Sequence, residues 1–287
     1  MTAPLAPDKI SAAFLAACRA ELDALKPGNV HRHSAGHGMQ VAHFERAAEA
    51  AAGPIADPSL SVGKRILRAT EASVAVTGLN TNLGIVLLCA PIAKAAGEKT
   101  SFDIGLRRRL DMILAALDEE DAADTFAAIR IANPAGLGKV EKGDILDKPE
   151  RMTLIAAMHL AAERDRIANA YVTAYSDIFD FALPVFQDAR MVTNDSNLAV
   201  TTLHMSLLAE FLDTHIVRKY GEATAIEVRQ EARALKAQWS PVASAKSIPS
   251  LIEFDAKMKS KGLNPGTTAD FVVATLFVAG LIGRKHT

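Results

Sequence analysis

The sequence predicts an all-α fold: a single large helical bundle domain over residues 1–287, with polar loops forming a phosphate-binding cleft. Three observations predict it. Apolar residues recur at helical spacing along most of the chain, and the alternation expected of strands is scarce. Alanine recurs throughout while aromatic residues make up only 5%, a composition in which helices pack closely through small side chains. Hydrophobic residues are 49% and charged residues 23%, which supplies a core at a length near the upper limit for a single one.

The elements follow in order. Pro7 and Asp8 precede a helix over 10–25, which stops at Lys26-Pro27-Gly28 because proline disfavours helical geometry in the residue before it. Residues 29–39 have no apolar period and read as a loop. A helix over 42–52 ends at a Gly53-Pro54 break, and Asp57-Pro58-Ser59 precedes a long helix over 60–76. The next runs to about 96, with others over 103–117 and 121–131. The polar stretch 133–149 reads as a lid, with Lys139 and Asp144 as candidates for substrate or metal contact, or as a plain surface connection. Helices then follow over 152–175, 179–186 (broken at Pro184), 198–213, 223–238 and 249–261. Gly266-Thr267-Thr268-Ala269-Asp270 opens the last helix, with Thr267 and Asp270 as a weak variant of the capping box.

Composition excludes several classes. Thirty-two basic and 33 acidic residues leave a net charge of −1, so no global field draws the protein to nucleic acid or a membrane surface. Cys18 and Cys89 lie in apolar helical patterns without ligand or disulfide spacing, as expected of buried thiols in a reducing cytoplasm. No secretory signal pattern opens the chain, and the longest apolar run, 271–282, is shorter than the roughly 20 residues that span a bilayer. The alanine-rich apolar faces leave room for a helix-packed homodimer.

Two polar stretches carry the candidate chemistry. Thr77-Gly78-Leu79-Asn80-Thr81-Asn82-Leu83-Gly84 breaks two apolar helices. A helix starting near Leu83 would aim its free N–H groups and dipole at whatever lies over the loop, forming an anion site. The same residues also serve a plain N-cap between core helices. The loop after Lys26-Pro27-Gly28 contains His31, His33 and His37, with His43 just beyond. Histidine clustering admits a transition-metal site built on His31 and His33, though no Cys and no His-Glu-x-x-His pattern supports it. Lys26, Arg32 and the histidines also suit a polyanion, and a solvated basic loop is the third reading.

Four blocks together resemble the triphosphoribosyl-dephospho-CoA synthase family. They are Lys26-Pro27-Gly28-Asn29-Val30-His31-Arg32; Gly78-Leu79-Asn80-Thr81-Asn82-Leu83-Gly84; Asp213-Thr214-His215-Ile216-Val217-Arg218-Lys219-Tyr220-Gly221; and Asn264-Pro265-Gly266-Thr267-Thr268-Ala269-Asp270. The resemblance implies an all-helical enzyme that joins the 2′-hydroxyl of 3′-dephospho-CoA to C1 of the ATP ribose and releases adenine. It implies roles for the matching residues. Lys26, Gly28, Asn29, His31, Arg32, His33, Arg218 and Lys219 hold phosphates or nucleotide, while Asn80, Thr81, Asn82 and Gly84 orient ribose or phosphates. Asp213, Glu71 and Asp270 are candidates for the general base, and Asp213 and Glu71 also for ligation of Mg²⁺ arriving with ATP. Each acid also has an ordinary use, Glu71 as a solvated helix charge, Asp213 in a helix-end salt bridge and Asp270 as a capping residue.

The blocks also depart from the family pattern. Asn82-Leu83 stands where the lyase-associated enzymes have His-Lys, and a lost lysine removes a charge-assisted hydrogen bond of about 1.5–3 kcal/mol. The first and central blocks resemble instead a branch found in archaea and one-carbon-metabolising bacteria. Besides dephospho-CoA, the acceptor can therefore be a phosphorylated precursor of a one-carbon carrier of tetrahydromethanopterin or methylofuran type. A different class of function, a non-catalytic helical protein that binds a nucleotide or a partner enzyme, is the further alternative.

Overall fold

The computed structural model describes residues 4–32, 34, 36, 38–99, 104–132 and 152–283. They form fifteen α-helices and one π-helix, with no strand beyond two isolated bridges, His31 to Ser34 and Gly36 to Met39. The chain divides into two compact units, one of residues 1–16, 43–176 and 277–287, the other of 17–42 and 177–276.

The first unit holds the start of α1 (Pro7–Asp23), α2 (Val41–Ala56), α3 (Val62–Thr77), α4 (Leu83–Gly97), α5 (Leu106–Ala115), α6 (Glu119–Ala132), α7 (Leu154–Ala161) and α8 (Arg166–Val172). Its centre is α4, buried on every side because the sequence there is apolar on every side. Pro91 lies inside α4 and lacks an N–H, so the carbonyl of Leu87 loses its helical donor. The buried Tyr171 hydroxyl supplies the missing bond to Leu87 O at 2.7 Å, and Tyr175 reaches Leu88 O at 3.2 Å. α3 lies close against α6: Asp121 accepts the Gly63 N–H at 2.7 Å, and a Cβ at residue 63 would fall 2.5 Å from the Asp121 backbone. Only glycine fits that approach.

The second unit holds the π-helix (Asp177–Ala182), α9 (Leu183–Val192), α10 (Ser196–Glu210), α11 (Thr214–Tyr220), α12 (Glu222–Ala234), α13 (Lys236–Trp239), α14 (Ile248–Ser260) and the first part of α15 (Gly266–Ile282). Met205, Leu208, Ile216, Val228, Trp239, Leu251, Phe254 and Met258 form its core. No helix among the described residues is long and apolar enough to cross a membrane.

The all-α expectation holds, and several boundaries change for local reasons. Gly53-Pro54 does not end α2; the helix continues to Ala56, and its last residues, Ile55 and Ala56, are buried. The span 152–175 is two helices, because the Asp165 carboxylate captures the N–H groups of Ile167 and Ala168 and starts α8. Pro184 does not break a helix but sits at the start of α9, where its missing N–H is not needed. Asp213 does not close a helix in an end salt bridge; α10 stops at Glu210, and Asp213 is the N-cap of α11. Thr267 is not the N-cap of the last helix, since α15 already starts at Gly266, and its hydroxyl accepts the His215 N–H of α11 at 3.1 Å. The lid candidates Lys139 and Asp144 lie outside the described residues, as do His33 and His37.

Candidate functional site

The second unit brings three of the four blocks together. α1 ends at Asp23, and the chain then enters 26–32 with Lys26 fully buried. An ammonium in that position needs acceptors, and it has three: the Glu21 carboxylate, Asn29 Oδ1 at 3.2 Å and Val30 O at 2.8 Å. Burial pushes the Lys26 ammonium down and the Glu21 carboxyl up from their ordinary values, while their mutual attraction opposes both shifts. Asp270, half-buried on α15, adds a smaller supporting charge to Lys26.

The rest of the first block is held from other helices. His204 on α10 is wholly buried, and its Nε2 lies 3.3 Å from Pro27 O. Burial drives its pKa down to about 3, so the ring is neutral at physiological pH and Nε2–H is the donor. Gly28 takes φ +85°, and a Cβ there would lie 2.6 Å from Met258 and 2.8 Å from Pro265, so glycine is required twice over. Its N–H donates to Asp255 Oδ1 on α14 at 2.8 Å. Asn29 Nδ2 donates to Asn264 Oδ1 at 2.8 Å, which ties the first block to the last.

The third and last blocks cap each other's helices. Asp213 Oδ1 accepts the Ile216 N–H of α11 at 3.0 Å, and Oδ2 accepts the Thr268 N–H at 2.7 Å and its hydroxyl at 2.8 Å, both on α15. In return Thr267 of α15 accepts the His215 N–H of α11. Asp213 is 1% exposed, and these three donors occupy most of its acceptor directions.

Around His31 lies a second charged group. His31 Nε2 is 3.4 Å from Asp255 Oδ1 and 3.4 Å from Lys259 Nζ, and Lys259 is 3.0 Å from Asp255. Lys259 also donates to Ser34 O at 3.2 Å. Burial lowers the pKa of His31, with the Lys259 charge acting the same way and the Asp255 hydrogen bond opposing both. Burial would raise Asp255, but the hydrogen bonds from His31, Lys259 and Gly28 outweigh it and hold the carboxyl below its ordinary value.

Other predicted residues lie nearer the surface, Arg32 and Lys219 exposed and Arg218 half-buried. Arg32 pairs with Asp23 in an exposed ion pair. Arg218 and Lys219 lie in the last turn of α11, with the Lys219 ammonium 5.2 Å from the Tyr220 ring centroid.

The central block and Glu71 belong to the first unit. Gly78 ends α3 in the left-handed conformation at φ +66°, and α4 begins at Leu83. Asn82 occupies the N-cap position without capping; its Nδ2 donates inward to Ser73 Oγ at 3.0 Å. Asn80 Oδ1 makes a long contact to Leu83 N at 3.4 Å. Thr81 is 9% exposed, and its hydroxyl has no hydrogen-bond partner among the described residues. Gly84 is the second residue of α4, in the turn whose N–H groups a helix cannot satisfy internally. Glu71 pairs with Arg68 at 2.9 Å and lines an open groove of about 950 Å³ with Asp8, Asp57, Ala72 and Ala75. The acids outnumber Arg68 among those charged side chains, so the groove does not suit a triphosphate.

Asp255, Lys259 and His204 were missed by sequence reasoning. The signal was present on α14, where Asp255 lies in register with buried Leu251, Phe254 and Met258, so a charge falls on the apolar face. Among the described residues no group of three or more His, Cys, Asp or Glu could hold a metal ion. Of the two carboxylates considered for Mg²⁺, Asp213 holds two helix starts and Glu71 is paired with Arg68.

This is an all-helical protein, three of whose matching blocks are joined through side chains. The chain belongs to the ATP:dephospho-CoA triphosphoribosyl transferase family, which it matches over residues 7–286. It is 31% identical over 120 residues to the 2-(5''-triphosphoribosyl)-3'-dephosphocoenzyme-A synthase of Klebsiella pneumoniae, a match spanning 42% of this chain and 38% of that relative. A crystal structure from Archaeoglobus fulgidus, provisionally assigned as a triphosphoribosyl-dephospho-CoA synthase, shares the fold. Its TM-score is 0.61 at 22% identity, covering 81% of this chain and 96% of that one.

Proposed function

We propose that the protein transfers the triphosphoribosyl group of ATP to a hydroxyl acceptor and releases adenine. The supporting observation is that three blocks lying far apart in the chain are bonded together, through Asn29 to Asn264 and through Asp213 to Thr268. In the transfer, the acceptor oxygen bonds to C1 of the ATP ribose while the bond from C1 to adenine breaks. The electron pair leaves with adenine, and the hydroxyl proton passes to a base. Thr81 and the first turn of α4 would take phosphate oxygens, with Asn80 and Gly84 beside them. Arg218 and Lys219 are the cations of the third block suited to phosphates. Mg²⁺ enters as the counter-ion of the triphosphate, with no step assigned to it. Asp270 is the remaining candidate base, since Asp213 already serves as a cap.

The acceptor suggested by the family is 3′-dephospho-CoA. A second reading, a phosphorylated precursor of a one-carbon carrier, is favoured by the central block. Asn82 there is turned inward, Leu83 is buried, and neither side chain is a cation. Incubating the protein with ATP, Mg²⁺ and dephospho-CoA tests the proposal, with adenine followed by chromatography and the product by mass. Adenine release that requires dephospho-CoA is expected. Release only with a one-carbon carrier precursor selects the second acceptor, and folded protein that releases none with either contradicts the transferase reading.

A further inference from the structure

Asp255 and Lys259 lie outside all four blocks, yet both meet the first block. Asp255 receives the Gly28 N–H at 2.8 Å, faces His31 Nε2 at 3.4 Å and pairs with Lys259 at 3.0 Å. Lys259 reaches the same His31 nitrogen at 3.4 Å and the Ser34 carbonyl at 3.2 Å. His31 and Asp255 are 1% and 4% exposed. A carboxylate and an ammonium brought this far out of water for one ring nitrogen need a reason beyond holding a loop, which backbone bonds and packing can do. The arrangement gives the ring two alternatives, because Nε2–H can donate to Asp255 and bare Nε2 can accept from Lys259. The choice between them fixes which face of His31 presents a proton.

We infer that Asp255 and Lys259 are a positioning pair that fixes the orientation and proton of His31, and with it the first block, for the transfer reaction. The inference rests on the transferase reading above. Among the described residues, the charged and titratable groups facing this site are Asp255 and Lys259 from α14, Lys26 from the block itself and neutral His204 from α10.

The test follows the His31 ring by NMR titration in the full chain, assigned through His31→Gln. Removing the cation in Lys259→Met moves the titration upward, and removing the anion in Asp255→Asn moves it further downward. Opposite shifts are expected. If the pair merely props the loop, both variants let water reach the ring and both titrations rise towards about 6.5, the free value; that result overturns the inference. In the adenine-release assay, Asp255→Asn lowers kcat on the order of tenfold to a hundredfold, with KM for ATP nearly unchanged. Lys259→Arg retains more activity than Lys259→Met. Unchanged kcat in Asp255→Asn and Lys259→Met also overturns it. A wild-type protein that releases no adenine fails the transferase reading and this use of the pair, while the NMR shifts still report whether the pair governs His31.

Discussion

Lys26, Asn29 and His31 in the second unit each meet partners from the fold, whereas Thr81 at the corner between α3 and α4 in the first unit has a buried hydroxyl that meets none among the described residues. The first segment answers its own polar groups with Glu21, His204, Asp255 and Asn264. At the corner Asn82 does not cap α4 but turns inward to Ser73, and among the described residues only the long contact from Asn80 reaches the Leu83 N–H. A buried polar group with a full set of partners stabilises the fold, and one without a partner is costly unless a ligand supplies the bond. On the reading proposed above the two stretches divide the labour: Lys26 and Asn29 hold the chain, and 80–84 takes substrate.

The largest effect that would break this division is in Lys26. Lys26→Met leaves Glu21 buried and uncompensated, with an expected loss of about 3–5 kcal/mol of stability. Adding Glu21→Leu should return most of it. Urea unfolding of the single and double variants measures both. A single variant as stable as wild type would mean that Lys26 is no framework residue and would return it to the phosphate site.

Asp213→Ala removes the acceptor for the starts of two helices, with an expected loss of about 2–4 kcal/mol at roughly 1–2 per cap. Thermal unfolding is the check. A loss below about 0.5 kcal/mol would contradict the shared-cap assignment.

His204 gives a pH signature. Its folded pKa is about 3 against an ordinary 6.5, so between those values the unfolded chain binds a proton that the folded chain does not. Stability from neutral His204 is then present above about 6.5 and is lost as pH falls towards 3, at up to about 1.4 kcal/mol per pH unit. His204→Gln keeps a donor for Pro27 O and should flatten that slope. Equal slopes in wild type and variant, from urea unfolding at pH 4–7, would remove His204 from the account.

Much of this fold was legible because helix formation is local. The apolar periods, the stop at Lys26-Pro27-Gly28 and the polar corner at 77–84 depend on neighbours in sequence. What was not legible depends on distant partners. Asp213 reads as a helix-end charge until Thr268 is seen to donate to it from 55 residues away, and Lys26 reads as a phosphate ligand until its surroundings prove dry. Asp255 and Lys259, spaced four apart on α14, read as an ordinary surface pair, and only burial reveals their contact with Gly28 and His31. The break within 152–175 was available in principle, since Asp165 carries N-cap chemistry, but the apolar period on both sides concealed it.

The smallest expected effect on stability is also the most direct test of the division. Thr81→Val removes a hydroxyl that has no partner among the described residues, so urea unfolding should change by less than about 1 kcal/mol. Calorimetric titration of the same variant with Mg²⁺ and ATP should show affinity weakened by roughly tenfold or more, about the worth of one hydrogen bond to a charged phosphate. Unchanged ATP affinity in Thr81→Val, with ATP binding intact in the wild type, would contradict the claim that this corner is kept for substrate.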